Sequence, residues 1–114
     1  MRNAVIVSAA RTLIASFQGQ LSSLAATRLG SLAIAAALKK SKLAGNQIDE
    51  VFMGNVRSAG LGQAPARQAS LGAGMPRVVS CTTVNKLCGS GLNRNLGDSA
   101  PGDCAPAASR WRLR

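Results

Sequence analysis

The first apolar segment, Ala4-Val5-Ile6-Val7, is unbroken, the pattern of a parallel strand buried on both faces. Ser8 to Gln20 then loses periodicity and reads as a loop. From Leu24 to Lys40 the spacing becomes helical. Leu24, Ile34 and Leu38 fall near one face, and Leu29, Leu32 and Ala36 on another. So wide an apolar stripe predicts a helix contacted on most sides. Ser22 or Ser23 is expected to cap its start, and Gly45 to stop it. Val51 to Val56 reads as a second strand, followed by the glycine-punctuated loop Ala59-Gly60-Leu61-Gly62. A second helix is expected from Ala64-Pro65, where a missing N–H costs little, to about Gly72-Ala73-Gly74, with Pro76 blocking continuation. Val78 to Val84 is β-branched with a period of two, hence a third strand. Lys86 to Leu92 follows as a strand-to-helix turn.

This order predicts an α/β fold, a mainly parallel three-stranded sheet with covering helices. After Leu92 the character changes. Residues 93–114 carry Asn93, Asn95, Gly97, Pro101, Gly102 and Pro106, then end Arg110-Trp111-Arg112-Leu113-Arg114. Gly97 and Pro101 would break a helix begun at Cys88, so 93–114 is expected to be a disordered tail on a domain spanning 1–92.

Composition sharpens two points. Phe17, Phe52 and Trp111 are the only aromatic residues, so the apolar mass is Ala, Leu and Val, suited to closely packed elements but poor in bulky filler. The net charge of +10 suggests a nucleic-acid partner. Its distribution argues against one: Arg2, Arg11, Arg28, Arg57, Arg67 and Arg77 fall in separate elements, and Lys39, Lys40 and Lys42 sit where a helix C-terminus favours cations. Aromatic platforms for stacking bases are also missing, so no specific nucleic-acid binding is expected. No apolar run approaches the ~20 residues of a membrane span. Met1-Arg2-Asn3 leads straight into the first strand, without the pattern of a leader peptide, which makes a cytoplasmic location the expectation. Cys81, Cys88 and Cys104 lack paired C-x-x-C spacing and there is no histidine, so no metal site is expected and the thiols should be free.

Cys88 stands where a buried strand would meet a helix start, followed by Gly89-Ser90-Gly91. Helix-terminal N–H groups favour thiolate over thiol, the glycines would let a carbonyl approach the backbone, and the Cys88 N–H is a candidate oxyanion donor. A small buried cysteine at a tight turn explains the same segment. Cys81, inside the third strand, reads as core packing. Gly60-x-Gly62 and Gly89-x-Gly91 both lack the third glycine of a dinucleotide fingerprint and read as turns.

Several segments taken in order decide between these readings. They are Ser8-Ala9-Ala10-Arg11-Thr12, Met53-Gly54-Asn55-Val56, Gly62 to Ala69, Gly72-Ala73-Gly74-Met75-Pro76 and Asn85-Lys86-Leu87-Cys88-Gly89-Ser90-Gly91-Leu92. Over residues 3–92 the chain resembles the amino-terminal part of the thiolase family, and Cys-Thr-Thr-Val-Asn-Lys at 81–86 is most similar to its acetoacetyl-CoA branch. Leu13 and Ala15 depart from it, standing where the family usually has Pro and Gly.

The resemblance implies that Cys88 is the nucleophile, taking an acyl group from a 3-ketoacyl-CoA or acetyl-CoA as a thioester and passing it to a second CoA thiol or an enolate. Coenzyme A thioesters would be substrates, with no resident cofactor. The family's activating histidine, second cysteine, asparagine–histidine oxyanion site and CoA loop have no matching positions here. The expected identity is thus an incomplete thiolase amino-terminal domain, inactive alone. Two alternatives stand beside it: a non-catalytic partner of a thiolase subunit, and a basic nucleic-acid-binding module. The sheet's open edge should leave the chain alone loosely folded or aggregated. The Ala-, Pro-, Gly- and Arg-rich string past Leu92 is what GC-rich DNA encodes in a wrong frame. Another frame beyond the Leu92 codon, or a downstream exon, is expected to encode a continuing helix and then a Gly-Gly-x-Glu-x-Met-like strand end. Coding DNA without either would refute this.

Overall fold

A computed structural model of the protein describes residues 5–90; the predicted tail, 93–114, lies outside them. The longest element is helix α1, Ala26–Ser41, in which Ala, Leu and Ile alternate with Arg28, Lys39 and Lys40. A short 3-10 turn, Gly45–Gln47, leads into strand β1, Glu50–Gly54. Helix α2, Pro65–Gly72, opens with its proline at the first turn as expected, and strand β2, Ser80–Val84, follows. β1 and β2 pair in parallel, from Glu50 opposite Ser80 to Gly54 opposite Val84, with α2 as the crossover. The α/β class and the parallel pairing are as the pattern predicts.

Three details differ. The expected first strand is not formed over 5–7, where Val5 and Ile6 are 76% and 64% exposed. An extended segment becomes a strand only when a neighbour takes its N–H and C=O groups, and β1 and β2 pair with each other instead. The sheet therefore has two strands among the described residues, not three. The segment is tied down at its end by Ser8, whose Oγ donates to Ala37 O at 2.8 Å. Neither Ser22 nor Ser23 caps α1. Its N-cap is Ala25, because turns at 19–22 and 21–24 hold the serines one step upstream. The helix ends at Lys42, left-handed with φ 57°, before Gly45 is reached; Ser41 Oγ donates to Leu38 O and accepts from Leu43 N–H.

The core lies between α1, α2 and β1. Ile34, Ile48, Val51, Ala69, Met75 and Val79 form its centre, with Leu38, Leu43 and Met53 packed against it. What lets the layers meet is a lack of side chain. At Gly30, an added Cβ would stand 2.6 Å from Met53 Cε and 3.0 Å from Ala69 Cβ. Next to it, the hydroxyl of buried Ser31 shares its one proton between Ala69 O at 3.0 Å and Thr27 O at 2.9 Å, and it fills the space an added Cβ on Gly72 would need. The loop into β2 is held by Arg67, whose guanidinium donates to Val79 O at 2.8 Å and Arg77 O at 2.6 Å.

The apolar stripe of α1 is only partly used. Gly30, Ser31, Ile34 and Ala37 are buried, while Leu32 stays 43% exposed. Leu29 and Leu32, with Leu13, Leu21 and Leu24, line an open groove of about 390 Å³. The expectation of a helix contacted on most sides thus gives way to one face covered among the described residues.

Gly30→Val should be destabilising by roughly 1–3 kcal/mol, the usual cost of overpacking a tight interior, read as a lowered urea midpoint. Ala35→Leu, on the exposed side of the same helix, should change stability by no more than about 0.5 kcal/mol. Equal effects would mean that the helix crossing does not limit packing.

Candidate active site

The two strands deliver their C-terminal ends to one place, the usual position of sites in parallel sheets. The ladder runs one residue past β1, with Asn55 N–H donating to Val84 O at 2.9 Å. Asn85 Nδ2 donates to Val56 O at 3.4 Å, tying the exits of both strands together. Thr83 Oγ1 accepts from Ala66 N–H at 3.1 Å and so anchors the first turn of α2 to β2. From this frame the chain turns through 85–90.

The turn's backbone groups have partners inside it. Asn85 Oδ1 accepts from Leu87 N–H at 3.1 Å, the Asx geometry that explains an asparagine at this corner. Gly89 N–H donates to Lys86 O and Ser90 N–H to Leu87 O, both at 3.0 Å. Ser90 Oγ accepts from Lys86 N–H at 2.9 Å and donates to Leu87 O at 2.7 Å. Leu87 is left-handed, with φ 50°, a conformation a branched side chain takes only where its surroundings impose it. Cys88 sits at the crest, its thiol free and exposed. Its N–H has no acceptor among the described residues, unlike those of the four residues around it.

The other expectations divide. Cys81 is half-buried in β2, packed against the core with its thiol directed to Val79 O at 3.4 Å, as the packing reading holds. The bland alternative for Cys88, a buried cysteine, is overturned by its exposure. Gly89 is not required by the backbone: its φ is not positive, and an added Cβ would meet Lys86 O at 3.4 Å, an ordinary contact. The helix expected to continue from Cys88, Gly91 and Cys104 lie outside the described residues.

Two participants were not singled out from the sequence. Gly54 ends β1 so close to the turn that an added Cβ would stand 2.8 Å from Ser90 Cβ and 3.2 Å from its carbonyl carbon. Ser90 read only as a spacer between glycines, yet its hydroxyl closes the turn. The one available signal was a serine four residues after the first turn residue, and it is weak without the fold. Gly54 also lines a cavity of about 70 Å³ with Thr27, Met53, Asn55 and Ala66. That is far below the ~300–1,000 Å³ of a small-molecule pocket. No helix among the described residues is long and apolar enough to cross a membrane.

The chain is similar in sequence and fold to known proteins. The chain is 62% identical over 91 residues to acetyl-CoA acetyltransferase 2 of Arabidopsis thaliana, across 80% of this chain and 23% of that protein. It is 57% identical over 91 residues to the acetyl-CoA acetyltransferase of Schizosaccharomyces pombe, with the same coverage of 80% and 23%. It is 56% identical over 92 residues to the mitochondrial acetyl-CoA acetyltransferase of Xenopus tropicalis, covering 81% and 22%. Among solved structures it superposes on the Acat5 thiolase of Ascaris suum in complex with coenzyme A. The TM-score is 0.74 and the identity 46%, over 75% of this chain and 22% of that one. The chain thus spans under a quarter of the length of these relatives. The family model of the thiolase N-terminal domain matches residues 4–94, four-fifths of the sequence, and it is to the thiolase family that the chain belongs.

Proposed function

We propose that this chain carries the nucleophile segment of a thiolase-type acyl transfer on coenzyme A thioesters, with Cys88 as the acyl acceptor. The observation that carries the reading is the exposed Cys88 thiol at the crest of a turn whose neighbouring N–H groups are already bonded. In the first half-reaction the Cys88 thiol loses its proton to solvent and its sulfur attacks the thioester carbonyl. The carbonyl carbon–Cys88 sulfur bond forms, the bond to the coenzyme A sulfur breaks, and the departing thiolate takes a proton from water. The Cys88 N–H, which has no acceptor among the described residues, would donate to the oxyanion formed between these events. The acetyl-CoA acetyltransferase relatives, at 53–62% identity, make short acyl groups the substrates to try first.

These residues supply the nucleophile but not the proton traffic. The sequence has no histidine, and Cys81 faces the core. General acid–base groups contribute about 10²–10⁴-fold each, so the chain by itself is inactive in turnover.

The second reading, a non-catalytic partner of a thiolase subunit, is favoured by the sheet. Its two strands each have one neighbour, leaving both outer edges open among the described residues, and Leu13, Ile14 and Phe17 are over three-quarters exposed.

Incubated with acetyl-CoA and digested, the protein should yield a peptide carrying one hydroxylamine-labile acetyl group on Cys88, lost in Cys88→Ser. Acetyl groups absent from Cys88 would overturn the nucleophile assignment. Thiolysis of acetoacetyl-CoA by the purified chain should be undetectable; turnover that disappears in Cys88→Ser would refute the claim of inactivity. Mixed with an intact acetyl-CoA acetyltransferase, the chain should co-sediment with it if the second reading holds, and separate sedimentation would rule that reading out.

A further inference from the structure

The Cys88 turn is held from one side by a residue that no chemistry in the proposed reaction requires. Ser90 makes three hydrogen bonds into the turn. Its Oγ accepts from Lys86 N–H, the same Oγ donates to Leu87 O, and its own N–H donates to Leu87 O. These bonds bracket Cys88 in sequence and hold Leu87 at φ 50°, the left-handed residue that turns the cysteine outward. The bracket has a seat. Ser90 rests against Gly54, where an added Cβ would stand 2.8 Å from Ser90 Cβ and 3.2 Å from its carbonyl carbon. Gly54 is in turn fixed in the ladder opposite Val84, so the position of Ser90 is referred to the sheet itself.

We infer that Ser90 is a positioning residue for Cys88, and that Gly54 is glycine so that Ser90 can seat against the end of β1. The inference rests on Cys88 being the acyl acceptor. Acyl transfer demands a fixed line of attack on a planar carbonyl and a donor aligned with the oxyanion, and displacements near 1 Å cost about 10²-fold in such reactions. Alkylation of an exposed thiol by a small freely diffusing reagent makes no such demand. Loss of the bracket should therefore separate the two reactions at one sulfur atom.

The test uses the full chain and two probes, acetyl-CoA and iodoacetamide, with modification at Cys88 and Cys81 followed separately by peptide mass spectrometry. Ser90→Ala removes two of the three bonds, and Gly54→Ala removes the seat while leaving the hydroxyl. In both variants acetylation of Cys88 should fall by about tenfold or more. Alkylation of Cys88 should stay within about twofold, and Cys81, half-buried in β2, should keep its slow labelling. Ser90→Thr, which retains the hydroxyl, should recover more acetylation than Ser90→Ala. If Ser90→Ala acetylates as fast as the unsubstituted protein, the positioning role is refuted while the nucleophile assignment stands. Both probes slowing equally, or Cys81 becoming fast, would also overturn it, because the substitution would then act through general unfolding. If the unsubstituted protein alkylates but never acetylates Cys88, the nucleophile assignment falls and the positioning role falls with it.

Discussion

The contact on which the described structure depends is the crossing of the two helices, where neither side has room for another atom. Gly30 lets α1 descend until Ala69 Cβ and Met53 Cε fill the place of its missing side chain, and Ser31 takes the space beside Gly72. A serine buried on a helix must place its hydroxyl, and this one lies between Thr27 O in its own helix and Ala69 O in the other, its one proton shared by the two carbonyls. The bond would not reach if the helices stood at the separation larger side chains require. Close approach and polar satisfaction therefore come from one arrangement of small residues.

From that crossing the support passes outward. α2 is pinned to β2 at its first turn by Thr83, and Arg67 holds the loop that brings the chain back into β2. With α2 in place, β1 and β2 lie in register and end together at Gly54 and Val84. The Cys88 turn hangs from those ends through Asn85 to Val56 and Ser90 against Gly54. The exposed thiol thus lies outside the hydrophobic centre that holds Val51 and Ile34, on a turn seated against the strand ends that this centre supports. An exposed loop positioned by a packed scaffold is a common division of labour in folds of this kind.

The same economy of side chains leaves surfaces uncovered. With one Trp, two Phe and no Tyr in the whole sequence, burial relies on aliphatic and small residues. Those facing the groove over α1, and the apolar run at 5–7, find no cover among the described residues. The segment of the family to which the chain corresponds is under a quarter of its relatives. Apolar faces left open on it are what one segment of a larger packed unit would present.

Local pattern was enough for the elements whose reasons are local. The helical spacing of 24–40, the proline opening α2 and the β-branched run before Val84 all act within a few residues, and each appears close to where it was read. The signatures ending in Asn85 to Leu92 likewise made the thiolase family legible, because motif order along the chain needs no coordinates. Decisions that depend on distant partners were not legible. Val5-Ile6-Val7 has strand composition, but a strand exists only with a neighbour, and β1 and β2 take each other. Ser22 and Ser23 have cap chemistry, but the turns before α1 place Ala25 at its start. Gly54 and Ser90 lie far apart in sequence, and only the parallel register brings them into contact and makes that glycine and that hydroxyl matter to Cys88.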